Sequence, residues 1–458
     1  MGILSRDQAL AVARSILERS EADETEVILQ SAEERFVRFA GSGPTQNGDR
    51  HRHQVSIRAR VHCADGIREA RATCDGIGDQ QTSGALARAF ELAQLAPPDS
   101  ALGKLEGAYA GMRELGSEVL DLATLEHSFE DKAARVRQAL ALSKEAKLEP
   151  AGLMHTGGES LTIVNSAGRE VHDGRTRASL SLTASVPGFD GGAGIAEATT
   201  ERVAQLNPEE VFRRAIEKAL MTSNARAIDP GQYTVLLEPI AVSSFLLFAS
   251  YLGFGAQEVQ EESSFLCGRI GQQLFPEALN VHDDANNAVL RNYAFDMEGT
   301  RKQRVPLIQN GVLQPPVTDA DWARRLGVAN TGHALAKPNT DGPKATDLVV
   351  APGKHSAQEL LAGIQRGLLI TQFHYTNLID PKDLLLTGMT RNGTFLVEGG
   401  EIVGAVKNLR YTESLVNALG NLSGIANEQE VAGALFDGVL ITPAMRIENF
   451  RFTSSTDF

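Results

Sequence analysis

The sequence is poor in cysteine, with only Cys63, Cys74 and Cys267 among its 458 residues. No two of them form a C-x-x-C pair, which excludes a disulfide framework and a cysteine-rich zinc site. Because 42% of the residues are hydrophobic, the chain can build a core without covalent links. Scarce cysteine is typical of a reducing compartment, so we expect a cytoplasmic protein.

The sequence also lacks the patterns that are typical of targeting and membrane segments. The opening residues, MGILSRDQALAV, contain no charged leader followed by an apolar core, so we expect no signal peptide. The longest uncharged apolar stretch, residues 239–257, is interrupted by serine and glycine and barely reaches the ~20 apolar residues that a membrane helix needs. It predicts a buried helix that ends in a glycine turn, and no membrane partner.

Positive charge is scarce, because 44 lysines and arginines face 58 acidic residues, which gives a net charge of −14 and a pI of about 5.3. Proteins that bind nucleic acid hold its phosphates through clusters of lysine and arginine. The overall field of an acidic chain repels those phosphates. We therefore expect no nucleic-acid partner.

Hydrophobic periodicity predicts an α+β protein, with a helix-and-strand N-terminal region followed by a larger, mainly antiparallel, β-rich C-terminal domain. Ser5 and Gln8 have the spacing of a capping box at a first helix. Apolar residues alternate with polar ones from Val55 to Cys63, as in a half-buried strand. Asn207 and Pro208 are typical of the first residues of another helix.

Two linker-like stretches divide the chain. Residues 97–111 are rich in proline and small residues, and the texture changes again at SNARAIDPGQ, residues 223–232. Beyond it, short strands and hairpin turns such as QNGV dominate. We predict an N-terminal α+β domain (1–110), a central α+β domain (111–226) and a C-terminal β-rich domain (227–458).

A search for catalytic motifs finds little. The sequence contains no H-E dipeptide, and so no H-E-x-x-H zinc helix, and no G-x-S-x-G elbow. Cys267 is a candidate nucleophile, although a small buried hydrophobe is the commoner role of a cysteine without a local signature. Asp283 and Asp284, beside His282, suggest a cation site or a polar turn. The turn is favoured because adjacent strand residues point to opposite faces.

One basic stripe stands out in this acidic chain. Its members are Arg50, Arg52, Arg58, Arg60, His62, Arg68 and Arg71. Such a stripe can bind an acidic peptide or a phosphate group. The solvated face of a strand is the commoner role of alternating charged residues, and it is the interpretation that we favour here.

Four segments of the second half occur in the order typical of one family. They are SSFLCGRIGQQLF (residues 263–275), AFDMEGTRKQRVPLIQNGVLQ (294–314), DADWARRLGVANTGHA (319–334) and GTFLVEGGEIVGAVKNL (393–409). These segments resemble the TldD/PmbA family across most of residues 230–420, and the N-terminal half resembles it more weakly. The agreement of several ordered segments is more specific than any single motif.

The resemblance implies a missing zinc site. TldD members carry an H-E-x-x-x-H helix and a C-terminal cysteine, whereas PmbA (TldE) members lack both and pair with TldD. Counted back without gaps from Gly271, the two histidines and the glutamate fall at Leu247, Leu252 and Phe248. No cysteine follows Cys267. The resemblance therefore implies no catalytic or metal residue in this chain, and zinc in a TldD-type partner.

The resemblance further implies a subunit that binds unfolded or precursor peptides, with a TldD-type paralogue as partner in a hetero-oligomer, or a second copy in a homodimer. Candidate groove or interface residues are Ser263, Ser264, Phe265, His333 and Arg391. One departure leaves alternatives open, because residues 259–262 read V-Q-E-E where the family has a basic Y-R-K. The alternatives are a homo-oligomeric peptide-binding protein without catalysis, and a hydrolase that uses Cys267 or a histidine.

Overall fold

The computed structural model describes residues 2–456 except residues 113, 117–119, 189–191, 338, 435 and 437. It confirms the predicted α+β class. An antiparallel sheet occupies the N-terminal half, and a larger, mainly antiparallel sheet occupies the C-terminal half. Both sheets carry helices on their faces.

The N-terminal half contains the helices α1 (Arg6–Glu18), α2 (Asp79–Leu95), α3 (Leu122–Leu125), α4 (Phe129–Glu145) and α5 (Pro208–Met221). Its strands are β1 (Glu24–Ala40), β2 (Gly43–Cys63), β3 (Gly66–Asp75), β4 (Glu149–Asn165), β5 (Glu170–Ser185) and β6 (Ala193–Thr200). They are hydrogen-bonded in the order β3-β2-β1-β4-β5-β6. β1 pairs with β4 from Glu26, opposite Asn165, to Ala40, opposite Ala151. Strands from the first two predicted units therefore lie in one sheet, and the division into three units stays a prediction.

Local sequence signals explain where these helices begin. The Ser5 side chain and Gln8 form the capping box that the spacing predicts at α1. At α5, the side chain of Asn207 accepts a hydrogen bond from the Glu210 N–H, and Pro208 occupies the first turn. Both caps satisfy backbone N–H groups that a helix leaves without partners at its N-terminus.

The C-terminal half contains the helices α6 (Pro239–Leu252), α7 (Ala256–Gln260), α8 (Ala320–Leu326), α9 (Ala357–Ala362) and α10 (Leu415–Gly420). Its strands are β7 (Gly231–Leu237), β8 (Val281–Asp283), β9 (Val305–Gln309), β10 (Val312–Leu313), β11 (Asp347–Val350), β12 (Arg366–Asp380), β13 (Leu385–Glu398), β14 (Glu401–Ala405), β15 (Leu409–Ser414), β16 (Leu422–Gly433) and β17 (Val439–Ser455). The main path is β10-β9-β8-β11-β17-β15-β13-β12-β7. The sheet curls until β7 also pairs with β17.

Helix α6 is the buried helix that the apolar stretch predicts, and it packs into the curl of this sheet. The ring of Phe245 lies 5.2 Å from that of Phe373, 5.8 Å from Tyr411 and 5.9 Å from Phe450, measured between ring centroids. Among the helices formed by the described residues, none is long and apolar enough to cross a membrane.

The two halves meet through a loop that precedes β9. Arg291 of this loop donates to both carboxylate oxygens of Asp173 on β5, at 3.0 Å each. In the opposite direction, Arg169 donates to the Glu298 carbonyl at 2.7 Å. Since these groups are largely buried, the loop is held against the N-terminal sheet by charge-assisted hydrogen bonds.

Candidate functional site

The positions predicted for a zinc helix lie on α6 and carry only hydrocarbon side chains. Leu247, Phe248 and Leu252 are partly buried and pack against the main C-terminal core. Zinc is held by nitrogen, sulfur or oxygen atoms, so these residues do not fit a metal ion. Across the described residues, moreover, no three His, Cys, Asp or Glu side chains lie where they could hold one together.

A buried polar cluster lies beside α6. Lys302 Nζ contacts the Asp347 carboxylate and lies 3.7 Å from Asp283 Oδ1. His333 Nε2 lies 3.0 Å from the same oxygen of Asp283. The other oxygen of Asp283 accepts the backbone N–H of Asp347 at 2.8 Å. We call Asp283, Lys302, His333 and Asp347 the polar cluster.

The polar cluster corrects one prediction and ties α6 to its surroundings. Asp283 does not lie in a polar turn but ends β8 with a fully buried side chain. Its neighbour Asp284 faces elsewhere and lies 3.5 Å from Arg304. Ser250 on α6 donates to the Ala345 carbonyl, two residues before Asp347. This hydrogen bond therefore links α6 to the segment that carries Asp347 of the polar cluster.

Opposite charges compensate one another inside the polar cluster. Burial alone raises the pKa of Asp283, but the charges of Lys302 and His333 outweigh burial and hold it well below its ordinary value. Burial lowers the pKa of Lys302, yet Asp283 and Asp347 outweigh it and leave it raised. Asp283 and Lys302 therefore both stay charged over the neutral range.

A cavity of about 170 Å³ opens beside the polar cluster. One part of its wall is aromatic, from Tyr293, Phe295 and Phe436, and another part carries Lys302 and His333. Sites for drug-sized ligands measure ~300–1,000 Å³. This smaller cavity suits a single side chain or a group of similar size with both an apolar and a polar part.

Known protein families and solved structures match this chain over most of its length. Residues 124–222 match the PmbA/TldA metallopeptidase central domain, and residues 230–454 match the PmbA/TldA metallopeptidase C-terminal domain. The chain belongs to the PmbA/TldD family. TldE from Thermococcus kodakarensis has a solved structure with a TM-score of 0.85 and 20% identity, covering 96% of this chain and 100% of that one. It shares the fold of this PmbA/TldD protein.

Curated relatives of this PmbA/TldD protein include a metalloprotease of Methanothermobacter thermautotrophicus, 24% identical over 279 residues, which are 59% of this chain and 60% of the relative. A metalloprotease PmbA homolog of Haemophilus influenzae is 25% identical over 256 residues, covering 54% and 48%. The chain thus aligns with about half to three fifths of the length of these relatives.

The residues predicted to form a groove or interface in the PmbA/TldD protein do not all lie together. Ser264 and Phe265 are buried, and the Phe265 ring packs edge-on against Phe254 with centroids 5.4 Å apart. His333 joins the polar cluster instead. Arg391 is exposed on β13, opposite Gln372. Their role in binding stays a prediction.

Ser264 has a structural contact that can be tested. Its hydroxyl donates to the Gly253 carbonyl at 2.6 Å and accepts the Leu266 N–H at 3.0 Å, which ties the loop to the end of α6. Replacing Ser264 with alanine leaves both groups without this partner, so we expect urea unfolding to show a loss of ~1–2 kcal/mol. Ser263→Ala is the matched control, since its half-buried hydroxyl makes a 3.3 Å bond. Equal stability of the two variants would contradict this structural role of Ser264.

Cys267, the candidate nucleophile, lies outside the polar cluster. The Cys267 thiol donates to the Val259 carbonyl at 3.5 Å, and among the hydrogen bonds of the described residues no histidine accepts from it.

The prediction that the basic stripe is a solvated strand face is wrong for the centre of the stripe. Arg58 and Arg60 are buried, at 3% and 4% exposure.

These arginines form an ion-pair network with carboxylates of neighbouring strands and of the loop before β9. Arg58 lies 2.8 Å from Glu26, 3.5 Å from Glu69 and 3.8 Å from Glu298. Arg71 lies 3.2 Å from Glu26. Because each charge faces an opposite one, burial is tolerated without a ligand. The network therefore belongs to the junction between the two halves.

Proposed function

We propose that this chain is a cytoplasmic, non-zinc subunit of a TldD/TldE-like metallopeptidase complex that acts on unfolded or precursor peptides. The observation that carries the proposal is the chemistry of α6 within a metallopeptidase-type C-terminal domain. Leu247, Phe248 and Leu252 offer no ligand atom and no general base at the positions that the family resemblance predicts for them. In this proposal the chain holds no cofactor, and zinc belongs to a TldD-type paralogue.

The cavity beside the polar cluster supports a peptide-binding role. Its size suits one peptide side chain, and its wall combines aromatic rings with Lys302 and His333. A strand edge offers a second means of binding, since β3 ends the N-terminal sheet, pairs with β2 on one side and is bridged on the other side to Asp99 at Ile67. Extended peptides commonly add to such edges through backbone hydrogen bonds.

The decisive test is metal analysis and peptidase assay of the purified chain, alone and after co-expression with a TldD-type paralogue. We expect no stoichiometric zinc and no peptide cleavage for the chain alone. The co-purified complex is expected to hold zinc and cleave an unfolded peptide. Stoichiometric zinc in the chain alone would overturn the proposal and direct attention to its histidines.

A homo-oligomeric peptide-binding protein is the second candidate. It is favoured by Glu261 and Glu262, which are exposed where family members carry basic residues, so a shared contact with a paralogue has the wrong charge here. Light scattering of the same co-expressed sample separates the two candidates. A homo-oligomer that never retains the paralogue would support the second one.

A further inference from the structure

Lys132 on α4 is buried without a counter-ion. Its exposure is 1%, and its ammonium donates to the His127 carbonyl at 2.5 Å. Two other buried lysines contact carboxylates, with Lys218 lying 2.5 Å from Glu238 and Lys344 touching Glu258. In the part of the chain that the structure describes, no carboxylate oxygen lies within 4.0 Å of the Lys132 ammonium. Lysine is almost never fully buried unless it is paired.

This lysine lines a cavity of about 620 Å³ between the β1–β2 hairpin and the N-terminus of α4. The aromatic rings of Phe36 and Phe129 form apolar walls of the cavity, and Asn47 is exposed at its mouth. The Phe36 ring closely covers Gly48, where a Cβ atom would lie 2.6 Å from the ring. Glycine is therefore needed at this position to leave the ring in place.

The charges that line the cavity balance overall, with Arg35 and Lys132 against Asp49 and Glu126, but among the described residues no carboxylate contacts Lys132. Arg35 also lines it, but its guanidinium already lies 2.6 Å from Glu33 and 3.0 Å from Asp49. The carboxylates of Asp49 and Glu126 are exposed at the mouth, whereas Lys132 is buried. The start of a 17-residue helix adds partial positive charge on the same side. A monovalent anion suits this balance better than a dianionic phosphate.

We propose that this cavity binds a carboxylate carried by an aromatic or aliphatic group, with Lys132 holding the carboxylate and Phe36 and Phe129 contacting the apolar part. The ligand is either a small carboxylic acid or the C-terminal carboxylate of a peptide. The site is separate from α6 and the polar cluster. It does not depend on the peptidase assignment and is tested on the chain alone.

The pKa of Lys132 agrees with this geometry. Burial, reinforced by the charge of Arg35, lowers the pKa of Lys132 to about 8. The charged and titratable groups that surround it are Arg35, Asp49, Glu126, His127, Asp131 and His155. Burial lowers the pKa of both histidines, so they stay neutral above pH ~7. A bound carboxylate favours the ammonium form, so affinity is expected to fall as the pH rises above ~8.

Calorimetric titration with N-acetyl-phenylalanine and with its amide tests the proposal. We expect the acid to bind the wild-type protein at least ~10-fold more tightly than the amide. Lys132→Met is expected to lose this preference, and Lys144→Met, on the exposed end of the same helix, is expected to keep it. Replacing a buried unpaired cation with methionine of similar volume should not unfold the protein. Circular dichroism of each variant checks the fold.

A second variant avoids changing the lysine. Phe129 is 43% exposed, so Phe129→Ala is expected to preserve the fold while weakening binding of the acid several-fold. Comparing 3-phenylpropionate with the peptide Gly-Gly-Phe identifies the source, since a peptide site binds the free C-terminus more tightly. Equal affinity for acid and amide, or equal affinity of wild type and Lys132→Met, would overturn the proposal. Absence of binding up to ~10 mM acid would overturn it as well.

Discussion

Replacing Arg58 with methionine is expected to lower the free energy of unfolding by ~3–5 kcal/mol, measured by urea denaturation. Arg58 is buried among Glu26, Glu69 and Glu298, at 2.8, 3.5 and 3.8 Å. Removing the cation leaves the carboxylates of Glu26 and Glu69 with less compensating charge, and Glu26 is almost fully buried. The cost arises from the carboxylates left behind rather than from the contact itself.

A double variant separates this cause from lost packing. Arg58→Met combined with Glu26→Met removes both charges of the shortest pair, so we expect it to be more stable than Arg58→Met alone. Arg213→Met, on the exposed face of α5, is the control. Its side chain is 55% exposed beside Glu210 and Glu217, and the unfolding midpoint should not change measurably. A double variant less stable than the single one would contradict the electrostatic explanation.

The basic stripe shows why the burial of a polar strand face is hard to predict from the sequence. Alternation in β2 correctly predicts a half-buried strand, but it cannot tell a solvated polar face from a buried, paired one. The register supplies the missing information, because Glu26 lies opposite Arg58 and Arg58 lies opposite Arg71 on the next strand. The sequence does contain a signal for this pairing, because acidic residues occupy alternate positions at the start of β1, as the arginines do on β2.

The candidate site shows a different limit. The apolar pattern correctly identifies α6 as a buried helix, and the family resemblance points to His333. The sequence does not predict its contact with Asp283 or their grouping with Lys302 and Asp347, because these residues come from β8, a loop and β11. Only the pairing of β8 with β11 brings Asp283 opposite Leu348, next to Asp347. Tertiary pairing over such separations leaves no local trace in the chain.

Glu298 has an environment that couples stability to pH. Its Oε1 atom lies 3.8 Å from Arg58, while its Oε2 atom is buried without a hydrogen-bond partner among the described residues. Burial raises the pKa of Glu298 to about 8, against the opposing charge of Arg58. The neighbouring Asp296 accepts backbone N–H groups from Glu298, Thr300 and Ala334 at 2.9–3.0 Å. These donors favour the ionised form of Asp296, so a proton held by the pair resides on Glu298.

Replacing Glu298 with glutamine is therefore expected to stabilise the protein at alkaline pH. The folded-state pKa is raised above its ordinary value of 4.5 to about 8. The stability that the protonated group contributes is therefore complete below the lower value and is lost as the pH rises through the higher one. Glutamine keeps the shape of the protonated acid and does not titrate. We expect the two proteins to have similar stability at about pH 5, and Glu298→Gln to be more stable by on the order of 3 kcal/mol at about pH 9.

Urea unfolding of both proteins across this pH range measures the difference directly. Histidines and carboxyl groups distant from Glu298 titrate alike in both proteins, so their contributions cancel in the comparison. Glu359→Gln is the control, because its side chain is 65% exposed and should give no gap that changes with pH. A gap of constant size would mean that Glu298 is ionised in the folded protein and that Arg58 compensates it fully. A gap that widens up to pH ~8 and then stays level would place one proton at the junction of the two sheets at neutral pH.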